Sequence, residues 1–307
     1  MQDANARHAS EARGSSDGRI GMDAIFVPGR LAGNRGLARG AIGPDNEGVT
    51  AVRSLLLTLL PKVALSRLTG LATRIPLPRA LRAPAYRWFA GRYGADLGEM
   101  QGALADYGSL AAFFRRPLRA GARPTAPADL VWPCDGKVVT AGPVAGDRIP
   151  QVKGRDYALA DLLGDAQLAH ALAGGTQATI YLAPGDYHRV HSPFRGRITS
   201  IVPIGGTLFP VNPPAVRSIR DLFVRNARHV FAFALPDGRK AAVVLVGALN
   251  VGDTLVTARV GTEVQPGDEL GQFGFGSTAI VVLARGTGFA PVAPETRTVM
   301  GTAAPAS

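Results

Sequence analysis

Cysteine is all but missing from this chain, with Cys134 alone in 307 residues. One thiol excludes an internal disulfide framework and fits a reducing compartment. Lysine is scarce too: Lys62, Lys137, Lys153 and Lys240 are the only ones, so the net charge of +11 rests on arginine. Such a balance favours an anionic partner, either nucleic acid or the acidic surface of a membrane. No apolar run approaches the roughly 20 residues that a membrane-crossing helix requires, and no signal-peptide pattern opens the chain. Any membrane contact is therefore expected to be peripheral.

What is present suffices for a buried core, since 46% of the residues are hydrophobic. Residues 1–48 stand apart. They are rich in Gly, Ala, Asn, Asp and Arg, lack hydrophobic periodicity and read as a disordered extension. From Val52 leucines and valines recur at helical spacing, and Pro61, Pro76 and Pro84 predict a series of short helices. Six arginines between Arg67 and Arg92 alternate there with Leu68, Leu71, Leu81, Tyr86, Trp88, Phe89 and Tyr93. That mixture suits helices lying in a lipid interface, and it equally suits an amphipathic lid packed on the protein's own core. We delimit this segment as 49–118.

Residues 119–307 read mainly as β. "ATIYL" (178–182), "HVFAFAL" (229–235), "AAVVLVGALNV" (241–251) and "AIVVLA" (279–284) are short apolar or alternating runs between Gly, Pro and Asp turns. One helix is predicted over Leu159–Leu172, stopped by Gly174 and Gly175. "TEVQPGDELGQF" reads as strand, turn, strand. The expected fold is α+β, a mainly-β barrel or sandwich-like core preceded by amphipathic helices.

Several polar residues do not belong to such a scaffold. His188 and His191 lie between Pro184 and Pro193 in "YLAPGDYHRVHSPFRGRI", which argues for a strand or turn. On a strand, positions three apart face opposite sides, so the two rings would have different tasks. A zinc site lacks support, because neither the glutamate of H-E-x-x-H nor a cysteine pair accompanies them. Two hydrogen-bonded structural histidines remain an ordinary alternative. Asp135 in "PCDGKV" and Ser277 in "GFGST" occupy glycine-marked bends, where aspartate is usually a turn residue. An Asp–His–Ser relay also makes chemical sense, since a serine hydroxyl needs a base and the base a carboxylate.

Seven segments, "FFRRPLR" (113–119), "PCDGKV" (133–138), "YLAPGDYHRVHSP" (181–193), "GTLFPVNP" (206–213), "LFVRNARHV" (222–230), "VGALNVG" (246–252) and "ELGQFGFGST" (269–278), resemble in order the motifs of phosphatidylserine decarboxylases. The likeness extends over about 52–290. The resemblance implies a proenzyme that cleaves itself between Gly276 and Ser277. In that scheme the Ser277 hydroxyl attacks the Gly276 carbonyl, the acyl group moves from nitrogen to oxygen, and elimination then hydrolysis leave a pyruvoyl group on residue 277.

The same resemblance assigns His191 as the base of self-cleavage and Asp135 as its orienter. It makes His188 the proton donor during decarboxylation of phosphatidylserine to phosphatidylethanolamine, with the pyruvoyl group as covalent cofactor. It implies a peripheral enzyme on the cytoplasmic face of the cell membrane, whose partners are the lipid substrate, an anionic membrane surface and its own two chains. Pairing of two copies is left open. Gly185, Pro210 and Phe275 depart from the family's usual residues.

Competing readings fit less well. "GSTA" lacks the second glycine of the G-x-S-x-G serine hydrolases, the nearest alternative. No nucleic-acid recognition motif accompanies the positive charge, so nucleic acid is not expected as a partner. A lipoyl-type carrier would need a lysine at its hairpin tip, and Lys240 is the only lysine after residue 153.

Overall fold

The strands carry most of the architecture because their residues alternate between two cores. The structure, a computed structural model, describes residues 68, 70–152, 154–248, 254–274, 277–286 and 288–307. The predicted extension 1–48, Pro61 and the tip 275–276 lie outside the described residues. The described residues all fall in one unit, Gly48–Ser307. An eight-stranded antiparallel sheet curls into a half-barrel. Its strands are β1 (Gly136–Pro143), β4 (Thr176–Leu182), β6 (Gly196–Ile204), β7 (Arg228–Ala234), β8 (Lys240–Val246), β10 (Glu263–Val264), β12 (Ser277–Leu283) and β13 (Arg297–Thr298). They lie in the order β10-β6-β7-β8-β12-β4-β1-β13.

In β7, Val230 and Ala232 point to one core, Phe231 and Phe233 to the other; in β12, Ile280 and Val282 oppose Ala279, Val281 and Leu283. Two covered faces explain why these strands are apolar throughout. The first face is covered by the hairpin β2 (Arg148–Val152) and β3 (Arg155–Ala158) and by short helices. The second is covered by a three-stranded sheet of β5 (Arg189–His191), β11 (Glu269–Gln272) and β9 (Leu255–Val256), which contributes Val190 and Leu270.

Two expectations need correction. The helix predicted over Leu159–Leu172 is two helices, Leu159–Leu163 and Ala166–Leu172. Gly164 turns into the left-handed region at φ 64°, and the Asp165 carboxylate caps the second helix by accepting from the Gln167 and Leu168 amides. "TEVQPGDELGQF" contains the two expected strands and turn, with β10 paired to β6 and β11 to β5 and β9. The turn carries the chain from one sheet to the other.

The second correction concerns Pro84, which was expected to divide one short helix from the next. Helix α1 (Arg79–Tyr93) contains Pro84 without ending there. Proline removes a single N–H, and Tyr86, Phe89 and Ala90 anchor the helix regardless. The anchoring cluster is aromatic: the ring of Tyr86 stacks on Phe113 of α2 (Leu110–Phe114) at 4.5 Å, and Phe89 meets Phe113 and Phe114 edge-on. At the end of α1, the Tyr93 carbonyl presses on the turn after β4. A Cβ on Gly185 would lie 2.1 Å from that oxygen, so the close approach requires glycine.

Candidate active site

The site forms where β4 ends and β12 begins. Leu182 and Ser277 are cross-strand partners. By strand alternation, Ser277 shares the face of Ala279 and Val281, the face that carries Val190 and Phe273. Its side chain is fully buried, and Oγ has no hydrogen-bond partner among the described residues. A buried hydroxyl without a partner is unusual in a finished fold.

After Leu182 the chain reverses in a turn closed by the Asp186 carboxylate, which accepts from the Ala183 amide at 2.7 Å, and then runs into β5. Backbone bonds bring three segments together here. The Phe273 amide donates to the His188 carbonyl, the His191 amide to the Pro133 carbonyl, and the Ser192 amide to the Asp268 carbonyl. The motifs at 133–138, 181–193 and 269–278 therefore meet in space.

Both histidines turn Nδ1 toward a carbonyl: Asp186 for His188 at 2.8 Å, Gly267 for His191 at 2.7 Å. A carbonyl only accepts, so each ring carries its proton on Nδ1 and leaves Nε2 as a base. From there the two rings differ. His191 Nε2 faces the Tyr187 hydroxyl at 3.2 Å, whereas His188 Nε2 is buried without a partner among the described residues and its ring lies 4.0 Å from that of Phe114. Only His191 lies on β5, so the different surroundings come from the turn that carries His188 and not from strand alternation.

Asp135 is buried beside them. Its Oδ2 accepts from Arg123 at 2.8 Å, its Oδ1 from the Met300 amide at 2.8 Å, and it shares no hydrogen bond with His191 or Ser277. Arg123 also pairs with Glu99. The tautomer of His191 is thus set by the Gly267 carbonyl, and Asp135 reaches the ring through its charge alone, which favours the protonated form. Sequence reasoning missed Tyr187, Gly267, Arg123 and Met300. Tyr187 was marked only by its place immediately before His188, and the other three are far away in the chain.

Burial pushes His191 down, and pushes His188 down to about 3; for His188 the Asp186 carbonyl opposes the shift and the charge of Arg116 adds to it. An unfolded histidine takes a proton near pH 6.5, whereas folded His188 resists it until about 3. Between these values the unfolded state binds more protons, so the stability present above pH 6.5 is lost as pH falls toward 3. The urea midpoint is expected to drop between pH 7 and 4, and to drop less steeply in His188→Gln. Parallel pH profiles for the two proteins would refute this.

Among the described residues no group of His, Cys, Asp and Glu could hold a metal ion, and no helix is long and apolar enough to cross a membrane. A cavity of about 480 Å³, lined in part by Lys137, Tyr181 and Val211, opens near the same end of the sheet, but none of the four site side chains lines it.

The sequence pattern of phosphatidylserine decarboxylase matches residues 110–304, which include all four of these side chains. The chain belongs to the phosphatidylserine decarboxylase family. A phosphatidylserine decarboxylase proenzyme from Anaeromyxobacter sp. (strain K) is 44% identical over 251 residues, covering 75% of this chain and 88% of the relative. Those from Acidovorax ebreus (strain TPSY) and Pseudomonas paraeruginosa (strain DSM 24068 / PA7) are 41% and 42% identical, covering 74% and 73% of this chain and 87% and 85% of theirs. Membership in the family makes the chain an enzyme, a decarboxylase.

Proposed function

We propose that the chain decarboxylates phosphatidylserine to phosphatidylethanolamine and carbon dioxide, after cleaving itself between Gly276 and Ser277 and converting Ser277 into a pyruvoyl group. One observation carries this reading: a serine hydroxyl, buried and without a partner among the described residues, heads a central strand in a chain whose relatives are proenzymes. An unengaged hydroxyl is free to act as nucleophile, and the residues around it fit its conversion. His191 accepts the hydroxyl proton on Nε2, in place of the Tyr187 hydroxyl that faces it, helped by the nearby charge of Asp135. The pyruvoyl group would supply a ketone that condenses with the substrate amine, releasing water, and so provides a sink for the electron pair left when carbon dioxide departs. His188, with Nε2 unclaimed, delivers the proton to the former α-carbon, and the wall formed by Phe114 limits access of water to it.

Residues 49–118 serve as the membrane-associating segment and 119–307 as the catalytic core, behind the extension 1–48. What supports this is the outward side of the helical segment, where Leu68, Leu71, Ile75, Leu81 and Trp88 are each more than half exposed. Apolar groups among arginines suit the interface of an anionic bilayer on the cytoplasmic side. The experiment is to incubate the purified protein with phosphatidylserine vesicles, measure carbon dioxide release, and sediment the vesicles. Release and co-sedimentation are expected, both weakened by salt. Leu81→Glu with Trp88→Glu should lower vesicle binding at least about tenfold, since each loses about 1.5–3 kcal/mol of apolar burial. Undiminished binding by that variant would move the membrane face elsewhere, and no release from wild-type protein would refute the activity.

A further inference from the structure

Arg116 follows α2 and is only 3% exposed, yet no carboxylate among the described residues lies within ion-pair distance of it. Its hydrogen bonding is poor. Nη2 makes one long bond, 3.4 Å, to the Gly185 carbonyl, while Nε and Nη1 are buried without a partner among the described residues. Arg228 provides the contrast. It is equally buried and also lacks a carboxylate, but it donates to the carbonyls of Leu162, Val224, Asn226 and Asp161. One buried guanidinium is built into the fold; the other is held in place by the Phe113 ring, 5.2 Å away, with donors to spare. A buried cation with empty donors is costly unless an anion arrives to meet it.

The location says which anion. Gly185 belongs to the turn that leads into His188, and Phe114, two residues before Arg116, packs on the His188 ring. Arg116 is close enough for its charge to act on that ring. The spare donors, the unclaimed Nε2 of His188 and the unpartnered Oγ of Ser277 are thus carried by adjoining segments.

We propose that Arg116 binds the phosphodiester of the aminophospholipid substrate, with Nε and Nη1 as donors. The proposal rests on the decarboxylase reading and names a group that recognises the substrate. The serine carboxylate is the wrong partner, because its charge leaves that carbon as carbon dioxide forms. A guanidinium clamped on it would favour the ground state over the transition state and slow the reaction. The phosphodiester keeps its charge throughout. Binding it lowers KM and leaves the barrier from the bound state nearly unchanged. Arginine suits this partner because its planar fork matches phosphate oxygens.

The test compares wild type, Arg116→Lys and Arg116→Met on two soluble compounds, dihexanoyl phosphatidylserine and O-octylserine, which has the amine and carboxylate without the phosphate. Intact masses first establish that each variant is processed. For the phospholipid, Arg116→Met is expected to raise KM about 10- to 100-fold, with a far smaller effect on kcat and partial recovery in Arg116→Lys. For O-octylserine the three proteins should be alike. A stability readout separates binding from structure: removing an unmatched buried charge should leave the urea midpoint of Arg116→Met unchanged or higher. A lower midpoint, an unchanged KM, or equal losses on both compounds would overturn the proposal. Should wild type release no carbon dioxide from either compound, the decarboxylase reading fails instead. Calorimetric binding of dihexanoyl phosphatidylserine to uncleaved Ser277→Ala protein then decides separately, with equal affinity in the presence and absence of Arg116→Met counting against it.

Discussion

Ser277→Ala protein is expected to remain a single chain of residues 1–307, while wild type resolves under denaturing conditions into 1–276 and 277–307. The hydroxyl is the only group at residue 277 that can attack the preceding carbonyl, and alanine removes it while adding no bulk to a fully buried position. The fold itself should tolerate the change, since Oγ holds no hydrogen bond among the described residues. Decarboxylation should disappear altogether, because without cleavage no ketone is made at residue 277. Wild type is expected to keep its native size after cleavage. β12 stays hydrogen-bonded between β4 and β8, β13 pairs with β1, and the Met300 amide is held by Asp135 of the large chain. Intact mass under denaturing conditions, beside size-exclusion under native ones, reads both outcomes. A full-length wild-type mass accompanied by carbon dioxide release would refute self-cleavage.

Replacing the two histidines should give two different failures. His191→Ala is expected to stay largely uncleaved if, as proposed, its Nε2 is the base, a role that the nearby charge of Asp135 supports by favouring the protonated ring. His188→Ala is expected to cleave and then turn over poorly, because in the proposed mechanism the proton for the former α-carbon comes from that ring. General acid–base help of this kind is worth about 10²- to 10⁴-fold, well above assay scatter. Weighing each chain and assaying carbon dioxide release from phosphatidylserine separates the steps. If His188→Ala were cleaved and also kept near-normal turnover, the donor would be another group. If it failed to cleave, the unclaimed Nε2 of His188 would be the base in place of His191.

Much of the β core could be read in advance because its signal is local. The runs that became β4, β7, β8 and β12 announce themselves by apolar alternation between turn residues. The strand β6 (Gly196–Ile204) did not, since exposed Val202 and Pro203 blur its pattern. Pro84 misled for a related reason: its effect on a helix is local, whereas the aromatic packing of Tyr86 and Phe89 that overrides it is not. The turn at Gly267 was legible as a turn. Which sheets it joined was not, because pairing partners lie outside any short window.

The sequence by itself determined the chemistry on offer: a serine after glycine, two histidines three apart, an aspartate in a bend, and an arginine-rich, lysine-poor chain with one cysteine. Motif order was enough to name the family. The tertiary structure decided how those groups are engaged. It turned Asp135 toward Arg123 and Met300, gave Gly267 the task of setting the His191 tautomer, and left Ser277, His188 and Arg116 with buried polar atoms unmatched. The physical reason is that hydrogen-bond partners and burial are properties of segments brought together from across the chain. Residue types specify what a group can do, and only its neighbours in space specify whether it is occupied or free to act.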